Sequence, residues 1–563
     1  MAVNWKNEFP NATQNEPIEY LIDGKEYYDK LYIDFASLTP GDSIYIMGWM
    51  FDHDFNMFPH IPNMNKSPLD LFARAVSNKI DVKIFIWDNP LYIQRNIDSI
   101  KYLKAAGVDI RMEASKLKIH KTALSIMQTI LPSVYATISA PLLALKMYAS
   151  YLNVFGIVIN KLDKFIDMLN YVKSKVTGGI SNISVCAYHD KVTIIIRDSK
   201  VIAYCGGIDY NRNRVNNSMH DVQCRVEGPA ASQILNKFLV KWNEYLPAAN
   251  KIVSPAISSF TLASKNMYSY GYAVGNHNYS VSLPDFHRTL SDAYFKIIDK
   301  AEKYIYIEDQ YMVNQEVAAA LNAKLNSSKV FDLILLIQCD ENTLEDLSIP
   351  ARMRTRFIEI VRGAAIGASS PLDSKITVLS IDKNSAAAGN YPSGIHSKIM
   401  IADDEIAIIG SSNVNQRSFT HDGETSLIIF DDNVPANKFA KKFRLALWRK
   451  YAFITSPSTP TPSWIDIPFI FRSNVAYQQQ KTMLSVYAPN IKGDLDQVIQ
   501  HFSPRSTGGI LAAAFAAFLG YYNLIVATLK TILPPSFFND FFRYIVDPHL
   551  DKNGNHSTTP PKF

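Results

Sequence analysis

Cysteine is scarce in this chain. The four cysteines, Cys186, Cys205, Cys224 and Cys339, lie in apolar, strand-like runs with no C-x-x-C spacing. They read as buried free thiols, which excludes a disulfide scaffold and a cysteine-based zinc site. Net charge is also thin: +5 with 19% charged residues, too little to indicate nucleic acid by itself. The opening segment MAVNWKNEFPNATQNEP lacks a basic stretch followed by an apolar one, so no secretory signal peptide is expected, and any export would use a dedicated route. Apolar residues are plentiful, 47% of 563, which excludes a disordered chain and allows about two to four domains.

The organisation is an alternation of strand and helix patterns. DSIYIMGWMF (42–51), DVKIFIWD (81–88) and GVDIRME (107–113) read as buried strands, with a helical LDLFARAVSNK between the first two. The order returns later, with an amphipathic helix running into IYIEDQY (286–311), then VFDLILLIQ (330–338), a helix at 351–365 and KITVLSID (375–382). The expected fold is α/β, built as two similar α/β/α halves with added helical segments. The expected boundaries are 1–255 and 256–455 for the halves, 456–546 for a hydrophobic helical region and 547–563 for a flexible tail.

Two stretches fall outside the repeat. Residues 115–183 read as a helical, basic and apolar insertion: over 116–180, eight lysines against Asp163 and Asp167 leave a net +6. After the linker TSPSTPTPS, residues 506–529 run without a charge. That run is long enough to cross a bilayer, and it fits an interfacial or a buried helix equally.

The chemistry sits in GIHSKIMIADDEIAIIGSSNVNQRS (394–418) and AYHDKVTIIIRDSKVIAYCGGIDYNRNR (187–214). Each places a His and a Lys two residues apart on an extended segment, so both face the same way: His396 with Lys398, and His189 with Lys191. Downstream of the later copy come Asp403, Gly410, Ser411, Asn413 and Glu424; downstream of the earlier one come Gly206, Gly207, Asp209, His220 and Asp221. The copies differ in one respect. Position 196 is Ile, the nearest acid is Asp198, and the first glycine follows its His by seventeen residues rather than fourteen. This predicts a hairpin about three residues longer and leaves the role of Asp198 open. His120-Lys121 lacks the spacing and reads as a solvated pair; Trp49 and Trp87 read as core or pocket wall.

The pattern H-x-K-x4-D-x6-G-S-x-N at 396–413, with its second copy, resembles the phospholipase D superfamily, as do IYIEDQY, GSSNVNQRSF, GGID and MHDVQCRVEGPA. The resemblance covers most of 30–450, without 115–183. It implies a pseudo-two-fold sandwich in which both motifs meet at one site. It also implies a phosphohistidine formed on His189, with His396 as the acid, and a metal-independent reaction needing no cofactor. The residue types suit that chemistry. Lys191 and Lys398 can neutralise phosphate oxygens, Ser411 and Asn413 can donate to them, and Gly206, Gly207, Asp209 and Gly410 would shape the substrate site. Imidazoles serve as nucleophile and acid, while Glu424 and Asp221 can orient them; Asp403 completes the motif. The expected substrate is a glycerophospholipid and the expected partner a phospholipid membrane surface, with no nucleic acid. A cardiolipin synthase-type transferase and a nuclease stay open as alternatives, and a secreted bacterial effector is a narrower expectation.

Overall fold

The computed structural model describes residues 3–14, 18–88, 93–113, 186–215, 219–254, 269–276, 289–338, 349–381, 394–420, 422–431, 438–451 and 484–486. The insertion, the uncharged run 506–529, the tail, Cys339 and the His120-Lys121 pair lie outside them. Among the described residues no helix is long and apolar enough to cross a membrane.

The strands in chain order are β1 (Thr13–Gln14), β2 (Glu19–Ile22), β3 (Ser43–Gly48), β4 (Asp81–Trp87), β5 (Asp109–Glu113), β6 (Val192–Arg197), β7 (Lys200–Gly206) and β8 (Val222–Glu227). They continue with β9 (Tyr270–Asn276), β10 (Tyr304–Asp309), β11 (Asp332–Ile337), β12 (Ile376–Ile381), β13 (Ile399–Ala402), β14 (Ile406–Gly410), β15 (Glu424–Phe430) and β16 (Leu484–Val486). One sheet has the order β2-β8-β7-β6-β3-β4-β5; the other reads β1-β9-β15-β14-β13-β10-β11-β12-β16. Strand for strand, β9-β15-β14-β13-β10-β11-β12 repeats β2-β8-β7-β6-β3-β4-β5. Each half has two parallel pairings at one side and antiparallel pairings at the other.

The helices repeat as well. After α1 (Trp5–Glu8), the first half has α2 (Asp23–Ala36), α3 (Pro68–Ser77), α4 (Ile93–Ala105) and α5 (Pro229–Glu244). The second half has α6 (Thr289–Lys300), α7 (Gln315–Ser327), α8 (Ile349–Arg362), the short α9 (Gln416–Thr420) and α10 (Phe439–Tyr451). Local chemistry starts them: α3 opens on a capping box between Ser67 and Asp70 with Pro68 in its first turn, and Asn314 caps α7.

Three apolar clusters define the layers. One lies under α2, α3 and α4 on the outer face of the first sheet, and one under α6, α7 and α8 on the outer face of the second. The third joins the inner faces of both sheets with α5 and α10, through Phe238, Trp242, Phe443 and Trp448. With both faces covered, β10, β11 and β14 are buried along their whole length, which explains why they read as continuous apolar runs.

Two segments depart from the expected boundaries. The first fourteen residues join the second half: β1 pairs with β9, and Trp5 and Phe9 enter the second outer cluster. Three apolar anchors, Trp5, Phe9 and Ala12, suffice to fix so brief a strap on an open sheet edge. At the other edge, Leu484–Val486, within the region expected to be helical, pairs antiparallel with β12 and covers its free hydrogen-bonding groups.

The two hairpins explain the spacing difference between the motif copies. From His189 to the last ladder residue, Arg197, is eight residues; from His396 to Ala402 is six. The returning strands differ likewise by two, while the turn is two residues (Asp198, Ser199) in the first half and three (403–405) in the second. Two added residues per strand less one in the turn make the net three. Adding residues in twos preserves which face each side chain takes. Asp198 and Asp403 thus occupy the same place, a turn with positive φ (49° and 56°).

Candidate active site

His189 and His396 each stand just before the first strand of a hairpin, β6 and β13, where the chains of the two halves meet. Two short ladders hold them there. The His189 N–H donates to Gly423 O at 2.8 Å and the Gly423 N–H to Ala187 O at 2.8 Å. Symmetrically, the His220 N–H donates to Gly394 O at 2.8 Å and the His396 N–H to His220 O at 2.7 Å. Each ladder brings the residue after Gly423 or His220, a carboxylate, beside the imidazole of the other half.

The carboxylates are therefore crossed. His189 Nδ1 lies 2.9 and 3.1 Å from the two oxygens of Glu424, and His396 Nδ1 lies 2.7 Å from Asp221 Oδ2. Since an ionised carboxylate only accepts, Nδ1 carries the hydrogen and Nε2 is left for chemistry. The imidazoles keep 14% and 13% of their side chains exposed, against 0% and 1% for the carboxylates behind them, so the rings are the reachable part of each pair.

Both lysines are buried and fold back on their own histidine. Lys191 Nζ donates to His189 O at 2.9 Å, and Lys398 Nζ donates to His396 O. Burial, then Lys191 and Lys398, hold His189 well below the ordinary imidazole range. His396 is held down by burial, then Arg214, Lys398, Lys191 and His189. Each imidazole therefore feels both lysines, which is possible only if the two motifs converge. Burial lowers Lys398 to about 8 and raises Asp221 to about 6. Burial also pushes Glu424 well above the carboxylate range. Such a cluster of cations and displaced acids suits an anion. Among the described residues no group of three or more His, Cys, Asp or Glu could hold a metal ion.

A family model described as "Cardiolipin synthase, PLD-like domain" matches residues 294–448, most of the second half. Phospholipase D1 of Saccharomyces cerevisiae is 24% identical over 519 residues, 79% of this chain and 29% of its own length, so that likeness extends over both halves. The second half of this chain matches a PLD-like domain, and these likenesses support membership of the phospholipase D superfamily. Phospholipase D A of Dictyostelium discoideum is 26% identical over 272 residues, 41% of this chain and 21% of its own. A cardiolipin synthase of Staphylococcus aureus is 26% identical over 264 residues, 46% of this chain and 45% of its own. The chain thus spans less than half the length of these three relatives. Among solved structures, phosphatidylserine synthase of Haemophilus influenzae aligns with a TM-score of 0.47 at 10% identity, covering 94% of this chain and 99% of that one.

Within this superfamily site, several expected residues have other work. Asp403 sits at the far end of β13, about 20 Å along the chain from His396. Its carboxylate accepts from the backbone N–H groups of Glu302, Lys303 and Tyr304 at 2.6, 2.8 and 2.8 Å, pinning the hairpin to the start of β10. The Ser411 hydroxyl is spent on Glu424, which also accepts from Ser418 Oγ at 2.6 Å, so both serines position a carboxylate rather than face a substrate. The glycines make room. A Cβ at Gly207 would lie 2.8 Å from Asp221 Cγ, and one at Gly410 would lie 2.5 Å from Ser426 Cα. Gly206 likewise abuts Gln223, with 2.6 Å to its Cα. Asp209 faces Lys191 at 3.5 Å and accepts the Trp49 N–H at 3.1 Å. Asn413 is buried, and its Oδ1 makes no hydrogen bond.

Trp49, read from the sequence as core or pocket wall, lies at the site, and one further participant escaped that reading. Trp49 stands edge-on to His189 with centroids 6.0 Å apart and stacks on Trp87 at 6.2 Å, forming one wall of the site. Arg214, in the quoted NRNR, places Nε 3.5 Å from Asp221 Oδ2. Only an alignment of the two halves on Gly206 and Gly410 could have singled it out.

Proposed function

We propose that this protein is a phospholipase D-type phosphodiesterase that hydrolyses glycerophospholipids to phosphatidic acid and a free headgroup. The observation supporting this reading is the crossed arrangement. Two imidazoles, each oriented by a carboxylate of the other half, share two buried lysines. His189 Nε2 attacks phosphorus and the bond to the headgroup oxygen breaks, leaving a phosphohistidine; that oxygen takes the Nε2 proton of His396, which enters this step as the imidazolium that the bound phosphate's negative charge favours. His396 then removes a proton from water, the water oxygen attacks phosphorus, and the P–N bond breaks to release phosphatidic acid and free His189. Lys191, Lys398 and the Asn413 amide stabilise the non-bridging oxygens, with groups already in place. Asp221 and Glu424 hold the rings; no metal or cofactor takes part.

The substrate is reached at a membrane surface, with the basic, apolar segment 115–183 meeting anionic headgroups. A second reading, transfer of the phosphatidyl group to an alcohol, is favoured by the family model's description and by the S. aureus relative. One experiment separates the readings: mass spectrometry of products from mixed phospholipid vesicles with and without glycerol, using wild type and His396→Ala, beside a tube of plasmid DNA. Phosphatidic acid made by wild type and absent with His396→Ala is expected. Phosphatidylglycerol as the main product selects transfer, and cut DNA with intact lipid refutes the lipase.

A further inference from the structure

The two halves share a backbone plan around the site but not its charges. Counted from Gly206 and Gly410, Asp209 stands where the second half has Asn413, and Arg214 where it has Ser418. The equivalence is structural too: Gly206 pairs with Gln223 and Gly410 with Ser426, in each case two residues past the orienting carboxylate. One exchange adds a negative charge and the other a positive one, so the pair conserves net charge while relocating it. Asp209 sets the negative charge beside Lys191, 3.5 Å away. Arg214 sets the positive charge beside Asp221, also at 3.5 Å, where Ser418 offers Glu424 only a neutral hydroxyl.

Arg214 is built in rather than draped over the surface. It is 7% exposed, and its Nε makes no hydrogen bond, so charge holds it toward Asp221. Its backbone is clamped against the start of α2, where a Cβ at Gly24 would lie 2.8 Å from the Arg214 carbonyl carbon.

Resting on the functional reading above, we propose that Arg214 is a positioning residue of the reaction: it claims an oxygen of the carboxylate that orients His396, so that a fixed guanidinium sets the proton traffic of the second imidazole and not of the first. The charged groups around the two rings differ accordingly. His396 faces Asp221, Arg214, Lys398, Lys191 and His189, with His220 next to Asp221. His189 faces Glu424, Lys191 and Lys398, with Asp422 and Asp209 as the further charges acting on it. After burial, Arg214 is the foremost influence against charge on His396.

The test is the imidazole NMR titration of full-length protein, with His189→Ala and His396→Ala assigning the signals, in wild type, Arg214→Gln and Arg214→Lys. In wild type His396 is expected to titrate below His189. In Arg214→Gln the His396 titration moves up by about one pH unit, and Arg214→Lys restores most of it. The limb of the kcat/KM profile on phosphatidylcholine vesicles that reports His396 moves the same way. It does so whether His396 acts as acid or base, with kcat falling more than KM rises. An unmoved His396 titration in a folded Arg214→Gln protein, or an equal shift in Arg214→Lys, overturns the proposal. Should the neutral variant fail to fold, His396 titrating at or above His189 in wild type overturns it instead. Since the titration needs no substrate, its outcome is independent of whether phospholipid is cleaved.

Discussion

Asp221→Asn should trade activity for stability. Asp221 is fully buried, and burial raises its carboxyl from 3.8 to about 6. An acid whose pKa is raised by folding binds its proton more tightly in the folded state. Between those two values the folded state therefore loses stability as pH rises, and above about 6 the penalty is complete. A displacement from 3.8 to about 6 corresponds to about 3 kcal/mol. Removing the charge should recover much of this, because the Asn carbonyl can still accept from the Val222 N–H, which now donates to Asp221 Oδ1 at 2.9 Å. Activity should fall because the Asn amide can donate toward His396 Nδ1, which forces the hydrogen onto Nε2 and reverses the tautomer. Losing a charge-assisted bond of 2.7 Å together with the correct tautomer should cost about 10²- to 10⁴-fold in kcat. The assays are headgroup release from vesicles and thermal melting from pH 4 to 8. The variant should melt above wild type at pH 8, with the gap closing toward pH 4. Full turnover would remove the orienting role, and a lower melting temperature at every pH would remove the linkage argument.

Asp403→Ala should separate a structural acid from a reacting one: losing three backbone donors' acceptor should cost roughly 2–4 kcal/mol of stability, measured by denaturant unfolding, while the folded fraction keeps its turnover. A specific-activity loss matching that of His396→Ala would return Asp403 to the reaction. Gly207→Ala places a methyl carbon against the Asp221 carboxylate, so it should lower activity by at least tenfold through His396 while melting changes little; wild-type activity would mean that the carboxylate has room to turn.

Much of the fold was legible because strands covered on both faces leave unbroken apolar runs: VTIII before the first hairpin and DLILLI in β11 could hardly be read otherwise. The paired H-x-K spacing was equally plain, since it is local. The crossing of Glu424 to His189 and Asp221 to His396 was not, because the ladders that produce it are single bridges, Tyr188 with Gly423 and His220 with Ile395, and carry no periodicity. Asp403 misled for the opposite reason. It sits at a fixed spacing in the motif because hairpin length fixes it, and the same constraint places Asp198 in the other turn despite the different count. Ser411 and the glycines suggested a phosphate cradle from composition, but their place is set by the close approach of β7 to β8 and of β14 to β15. The N-terminal strap and β16 add too few residues to a sheet edge to show a pattern.

The crossing also explains why the joint between the halves is so heavily charged yet closed. Beside His189, Asp190 is held by Lys241 and by Thr425 Oγ1 at 2.6 Å, linking β15 to the first half. Beside His396, the buried His220 lies 2.8 Å from Asp23 and 3.2 Å from Glu308, and Glu308 accepts from Ser397 Oγ at 2.6 Å. Burial and Lys450 disfavour charge on His220, but Asp23 and Glu308 outweigh them and raise it. Parting the halves would break the Thr425–Asp190 and His220–Glu308 contacts and would expose the apolar face shared by α5 and α10. Each imidazole depends for its orientation on the half that does not contain it, so the contacts that hold the halves together are the same ones that hold the reacting atoms. A site assembled this way cannot loosen at one imidazole without disturbing the joint as a whole, which is the rigidity that the proposed electrostatic stabilisation of a phosphate would require.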